Sequence, residues 1–300
     1  MLIKKSTGEK IFDIGNIILL FLVACITVYP MLFILASSLS DYNAILRNEV
    51  FVLPVGFTWA GYADVFGDGS IFKAYYNTLW YTFVGTFINL ALTLMAAYSL
   101  SRKYYMLRSP VTMIIAVTMF FSGGMIPNFL LINELGLYDT RWAMVLPGAV
   151  SVFNLIMARE FLSNTIPDEL SEAAKIDGAN DIHIFFRIVL PLSKPIIAVL
   201  ALYYGVGHWN AFFNAMIYLK SADYLPLSLY LRRLLVLGTT NFSSGTMMDP
   251  LLVNDPTAVI GITQRIKYAS IIVTMLPVLV SYPFFQKYFA KGVMIGSIKA

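Results

Sequence analysis

Six long stretches of this 300-residue chain contain no Asp, Glu, Lys or Arg, and few soluble folds can enclose so much uncharged chain. The stretches are Ile14 to Ser40, Ala74 to Ser101, Ser109 to Asn133, Trp142 to Ala158, Pro195 to Leu219 and Tyr268 to Gln286. A hydrocarbon core about 30 Å thick is crossed by about 20 mostly apolar helical residues, so each stretch is a candidate span. Lipid offers no partner to backbone N–H and C=O groups, which leaves helices as the conformation for these segments. The expected fold is an all-α membrane protein, one transmembrane domain over residues 1–300. Its spans are expected at about 14–38, 74–101, 109–132, 142–161, 195–219 and 268–287. The fourth is the shortest, and Arg159 extends it by reaching toward the surface. Composition agrees: 58% of residues are hydrophobic and 13% charged, against about 25% charged in an average soluble domain.

Lys4, Lys5 and Lys10 before the first apolar run suggest a secretory signal. The run is too long for one, however, and Ser37, Ser38 and Ser40 lead into Asp41 without a cleavage pattern, so it reads as a retained helix. Cys25, the single cysteine, falls in mid-span and reads as a small packing residue. Lys and Arg set the orientation. With the N-terminus in the cytoplasm, 13 cations fall inside and 8 outside, which predicts both termini in the cytoplasm. The basic balance, pI ≈ 9.0, then needs no nucleic-acid partner.

Between the spans, residues 39–73 carry Pro54, Gly56, Gly61, Gly67 and Gly69 and read as an ordered outer loop with little helix. The third run contains Phe120-Phe121-Ser122-Gly123-Gly124 and Pro127, which predicts a break or kink toward its outer end. A second outer segment, residues 220–267, includes a possible surface helix over Leu225 to Leu237.

The inner segment, about 162–194, has a different composition. Thr165 reads as a cap, Pro167 suits a first turn, Asp168 and Glu169 suit the positive helix end, and Gly178 is the natural stop. A helix of about three turns results, with Leu170, Ala173, Ala174 and Asp177 along one side. A second helix starts at Asn180 or Asp181 and runs through Phe185, Phe186 and Ile188 to Leu190, and Pro191 and Pro195 mark the start of the fifth span.

The pattern Glu172-Ala173-Ala174, Asp177-Gly178-Ala179, Ile188, Leu190-Pro191 and Pro195 resembles the EAA loop of ATP-binding-cassette importer permeases. The resemblance extends over nearly the whole chain to carbohydrate permeases of the maltose-permease type. Within them it looks most like the branch serving complex oligosaccharides such as alginate or other polysaccharide fragments. That narrower likeness rests on Tyr29-Pro30, Asn77-Thr78, Phe120 to Pro127, Trp209-Asn210 and Tyr282-Pro283-Phe284 through Phe289. It implies a six-helix type I permease bundle in the bacterial cytoplasmic membrane. It also implies that the short inner helix couples to an ATPase through Glu172, Ala173, Ala174, Asp177, Gly178, Leu190 and Pro191. The implied partners are a second, related permease, two copies of a cytoplasmic ATPase and an extracellular solute-binding protein. The tail from Lys291 to Ala300 resembles family members whose C-terminus reaches between the ATPase subunits.

Sugars are held by aromatic faces and by amide or hydroxyl groups. The fifth run offers Tyr203, Tyr204, Trp209, Asn210, Phe213 and Asn214; at 3.6 residues per turn Tyr203, Asn210 and Asn214 share one face, while Trp209 and Phe213 lie on a neighbouring one. Asn89, Phe121 and Ser122 are candidates from the second and third runs. Membrane aromatics and amides also serve as packing and interfacial residues, so both uses stay open. His208 reads as a satisfied bundle histidine.

No Asp, Glu, Lys or Arg interrupts the six runs, which argues against an ion-coupled secondary carrier. No His, Cys or carboxylate cluster suggests a membrane enzyme or a metal site. A phosphate loop of the form Gly-x-x-x-x-Gly-Lys-Ser/Thr is missing as well, so ATP and Mg belong to a partner and this chain carries no cofactor. An importer for a peptide or amino acid remains the alternative, although such a path would be expected to show a fixed charge.

Overall fold

The computed structural model describes residues 6–67, 69–121, 123–237 and 256–292. Among these the regular elements are all helical. They are α1 Thr7–Ser38, α2 Tyr42–Leu46, α3 Ala60–Gly67, α4 Ser70–Ser101, α5 Arg108–Thr118, α6 Met125–Glu134, α7 Val152–Thr165, α8 Asp168–Ile176, α9 Asp181–Ile184, α10 Leu190–Leu192, α11 Lys194–Trp209, α12 Phe212–Tyr218, α13 Leu227–Leu237 and α14 Pro256–Gly292. The residues group into two compact units, Met1–Ile71 with Arg233–Leu276, and Phe72–Arg232 with Pro277–Ala300.

In the first unit, α1 starts on a capping box: Ser6 Oγ accepts from Glu9 N, and Ser6 N donates to the Glu9 carboxylate. Its apolar stretch has no residue buried within this chain, and Cys25 is exposed there. Residues 39–73 are more helical than expected. Asp41 caps α2 by accepting from Asn43 N at 3.0 Å, and α3 is fastened at both flanks. Tyr62 bonds Ser38 at 2.8 Å, and Arg265 of α14 donates to Asp64 at 2.7 Å with both side chains mostly buried. Helix α14 begins at Pro256, well before the expected span start near 268, so Arg265 is a helix residue paired inside its unit.

In the second unit, α4, α7 and α11 share a core. Leu94, Ala97 and Leu100 meet Leu155, Ala158 and Leu162, and Ile196, Leu200 and Tyr204 close it. Ala97 and Ala158 are fully buried, as close helix approach in lipid requires small side chains. A polar joint crosses the same core, where the Tyr204 hydroxyl shares a 2.7 Å bond with Thr93 and accepts from Ser151 N at 3.1 Å. At the other end of α4, Asn77 donates to the carbonyls of Asp223 and Leu225, Thr78 accepts from Leu227 N, and Tyr81 donates to Tyr224 O. These bonds stitch α4 to the segment leading into α13. Arg141 donates to Asn77 Oδ1 at 3.1 Å and lies 5.2–5.7 Å from the ring centres of Tyr76, Trp80 and Tyr224.

Three of the six uncharged runs are divided. The third breaks as expected, α5 ending at Thr118 and α6 starting at Met125; Pro127 sits in the first turn of α6, where its missing N–H costs nothing. The fourth opens with a 3-10 turn at Arg141–Met144 and becomes α-helical only at α7. The fifth is interrupted at Asn210–Ala211, between α11 and α12. Among the described residues, α1 and α4 are by themselves long and apolar enough to cross a bilayer, while α11 passes the same test only when joined to Asp181–Leu192, to which it is bent by 82°.

Candidate functional site

The segment 166–193 projects two short helices joined by a tight turn. Helix α8 opens with Asp168 and Glu169 in its first turn and closes with Lys175 in its last, each sign matched to the helix dipole. Its N-cap is Pro167, without a side-chain cap bond, and Thr165 is instead the last residue of α7; the reading of Thr165 as the cap is corrected. Proline's φ already suits a helix start, and the α7 helix reaches too close for another residue to serve. Gly178 ends the segment at φ 84° with open space around its Cα. The requirement for glycine here is therefore conformational, since L-residues are strained in this region.

Burial sorts the faces of α8. Ser171 is buried, and Asp168 and Ala174 are half-buried, so this line faces its own chain. Glu169, Glu172, Ala173 and Ile176 point outward, Ile176 being 87% exposed. The outward surface is small and mildly apolar with a negative rim. Between α8 and the next helix lies a groove of ≈ 690 Å³, bordered by Ala174, Asp177, Gly178, His183, Phe186 and Arg187.

The second helix, expected to start at Asn180 or Asp181, starts at Asp181, and Asn180 caps it, its side-chain oxygen accepting from His183 N at 2.8 Å. The chain then widens into a π-helical turn at Phe185–Val189. Pro191 cannot donate to the carbonyl four residues back, and the wider turn absorbs the misfit. Leu190 is half-buried on the core while Pro191 is exposed. After Ser193 the axis turns by 82° into α11. Ser193 is fully buried, and its hydroxyl donates to Val189 O at 2.7 Å.

Side chains that the sequence left unmarked hold α8 in place. Arg102, at the end of α4, is 1% exposed. Its Nε donates to Ser101 Oγ at 3.0 Å; Nη1 faces Asp168 at 3.4 Å and Ser171 at 3.5 Å; Nη2 faces Leu162 O at 3.3 Å and Ile166 O at 3.4 Å. Tyr104 donates to Asp181 at 3.0 Å, and Lys175 Nζ lies 3.1 Å from the same carboxylate and 4.0 Å from the Tyr104 ring centre. The Lys175 ammonium holds the Asp181 carboxyl below the usual carboxylate range. Arg102 read in the sequence only as a flanking cation. Its single signal was its position directly after an uncharged run, which every membrane-flanking arginine shares.

The solute-path candidates separate by burial. Tyr204, Trp209 and Asn89 are buried within the unit; Tyr204 is committed to Thr93 and Ser151, and Asn89 bonds His208 Nε2 at 3.2 Å. Tyr203, Asn210, Phe213, Asn214 and Phe121 are exposed, while Ser122 lies outside the described residues, as does most of the tail from Lys291. Tyr203, Asn210 and Asn214 do not lie on one continuous helix: Tyr203 is in α11, Asn210 caps its end with its amide donating to Val206 O, and Asn214 is in α12. Among the described residues no group of His, Cys, Asp and Glu could hold a metal ion.

Known proteins share this architecture. A crystal structure of a bacterial ABC transporter involved in the import of the acidic polysaccharide alginate contains a chain that is 34% identical, with a TM-score of 0.86 over 95% of this chain and 99% of that one. Protein LplC of Bacillus subtilis (strain 168) is 39% identical over 98% of this chain and 97% of its own length. The polygalacturonan/rhamnogalacturonan transport system permease protein YtcP of the same organism is 38% identical over 97% of this chain and 99% of its own. Residues 89–295, which include the whole α8–α10 segment, match the binding-protein-dependent transport system inner membrane component family. The chain belongs to that family and has its type I ABC importer permease fold: it is a membrane transport component, not an enzyme.

Proposed function

We propose that this chain forms half of the translocation pathway of an importer for acidic oligosaccharides, driven by a separate ATPase that docks on α8. The observation that carries the reading is the geometry of α8, pinned to its own chain through Asp168 and Ser171 while Glu169, Glu172, Ala173 and Ile176 stand free on the outside. Small side chains permit close approach of a partner, and Glu172 supplies a charge for a basic group on it. The cargo class is supported by two relatives whose names concern polyuronates, alginate and polygalacturonan. The exposed Phe121, Tyr203, Asn210, Phe213 and Asn214 are the contacts left available for sugar rings and hydroxyls.

In this reading a second, distinct permease supplies the other half, and two ATPase copies bind ATP and Mg. An extracellular binding protein delivers the cargo. The assembly sits in a bacterial cytoplasmic membrane with both termini of this chain in the cytoplasm, the orientation favoured by the distribution of Lys and Arg.

The test is co-purification of the chain with its native neighbours, followed by ATPase assays with binding protein loaded with uronate-rich or neutral oligosaccharides. A rate that rises with the acidic cargo is the expected result. A rise with neutral sugars or peptides alone would overturn the cargo, and purification of the chain with no associated ATPase would overturn the coupling.

A further inference from the structure

We infer that the turn after α4 is a two-point clamp on α8, with Arg102 as its positioning residue, so that the coupling helix and α4 move as one body. The inference rests on the reading of α8 as the ATPase-docking helix.

A guanidinium stays charged in any protein, so burying one is costly unless acceptors surround it. Arg102 is 1% exposed and has five acceptors drawn from three places: Ser101, the last residue of α4, Leu162 O and Ile166 O at the end of α7, and Asp168 and Ser171 on α8. The carbonyls at a helix end carry partial negative charge, which adds to the Asp168 carboxylate. Lys103 approaches the outer oxygen of Asp168 at 3.3 Å. One end of α8 is thus fixed to α4 through buried chemistry.

Two residues further on, Tyr104 reaches the opposite end. Its hydroxyl donates to Asp181 and its ring carries the Lys175 ammonium, so it bridges the last turn of α8 and the first of α9 across Gly178. These groups are exposed, and this second point is the weaker. A helix of nine residues is roughly 13 Å long at 1.5 Å per residue. Held at one end it would pivot; held at both it cannot. A displacement of the outward face of α8 is therefore delivered to α4, whose far end is stitched through Asn77, Thr78 and Tyr81 to the segment before α13.

The experiment uses the full complex in liposomes and measures oligosaccharide taken up per ATP hydrolysed with loaded binding protein. Arg102→Met is expected to lower that ratio at least about fivefold, the lower end of coupling between linked sites. Arg102→Lys, which keeps the charge without the fork, should recover part of it. Adding Asp168→Asn to Arg102→Met should cost little more, since the two act through each other. An unchanged ratio, with only less complex recovered, would overturn the positioning role. Should Arg102→Met fail to assemble, Tyr104→Ala on the exposed side decides: a loss of about twofold, the size of an exposed contact, is expected, and an unchanged ratio would refute the clamp. Glu172→Arg on the outward face separates the two readings. If it abolishes ATPase stimulation while the Arg102 variants couple normally, the clamp fails and the docking helix stands; if neither changes anything, the docking helix itself is wrong.

Discussion

Replacing Gly85 with alanine should destabilise the second unit, and removing the ring of His208 should cancel most of the effect. Gly85 is buried in α4 beneath the His208 imidazole, and a Cβ there would lie 2.4 Å from Nε2, 2.6 Å from Cε1 and 2.8 Å from Cδ2. Ordinary contact needs about 3.5 Å, so the ring must retreat from α4 by roughly 1 Å. Asn89 lies one turn further along the same face of α4, so the retreat also stretches its 3.2 Å bond to His208 beyond hydrogen-bonding range. Overpacking of this kind costs about 1–3 kcal/mol, and an interhelical bond in a membrane about 0.6 kcal/mol on average. The better helix propensity of alanine returns up to about 1 kcal/mol, which leaves a net loss of about 1–3 kcal/mol. His208→Ala alone loses the Asn89 bond and leaves a cavity. In the double variant the alanine Cβ has nothing to meet, so Gly85→Ala becomes neutral or slightly favourable there. Thermal unfolding of the purified complex in detergent, compared across the four combinations, measures the coupling. Equal losses from Gly85→Ala with and without His208 would refute the packing argument.

Gly178→Val should strain the turn after α8 by about 1–2 kcal/mol, leave the helices inserted and reduce ATPase stimulation and uptake together; unchanged stimulation in the purified complex would count against docking at α8. Asn210→Leu should lower uptake while the ATPase still assembles, and wild-type uptake kinetics across acidic and neutral sugars would remove Asn210 from the path. Asp139, at φ 56°, accepts from Lys220 N, Ser221 N and the Ser221 hydroxyl, which hold its carboxyl below the usual carboxylate range. A lowered folded pKa means that this contribution is complete above the ordinary carboxylate value and is lost as pH falls through the lowered one. Hydrogen exchange at the Lys220 and Ser221 amides should therefore show constant protection through neutral and mildly acidic pH, and Asp139→Ala should abolish it throughout.

The position of α8 and its stop were readable because both depend on local chemistry: acidic residues at the start and a glycine for the left-handed turn. The start of α9 at Asn180 or Asp181 was readable for the same reason. Thr165 was misassigned because two helices compete for the residues around it, and only the packing of α7 settles which one takes them. The break of the third run was visible, whereas the break at Asn210–Ala211 was not, since neither residue is a strong helix breaker. With that break went the continuous helix expected to carry Tyr203, Asn210 and Asn214.

Uncharged runs of membrane length and the Glu172 to Pro191 pattern were enough to place the chain in a bilayer and to single out the segment proposed to couple it to an ATPase, because solvent preference and helix punctuation are properties of contiguous residues. Tertiary structure alone decided what the isolated polar groups do. Arg102, Asn77, Tyr204 and Asp64 look like any flanking charge, span amide, span aromatic or loop acid in one dimension; the partners the fold brings to them stand 53 to 201 residues away, as the Tyr204–Ser151 and Asp64–Arg265 bonds illustrate. A polar side chain in a low-dielectric interior is governed by whichever acceptor or donor the fold brings within about 3 Å, and no local pattern records that neighbour.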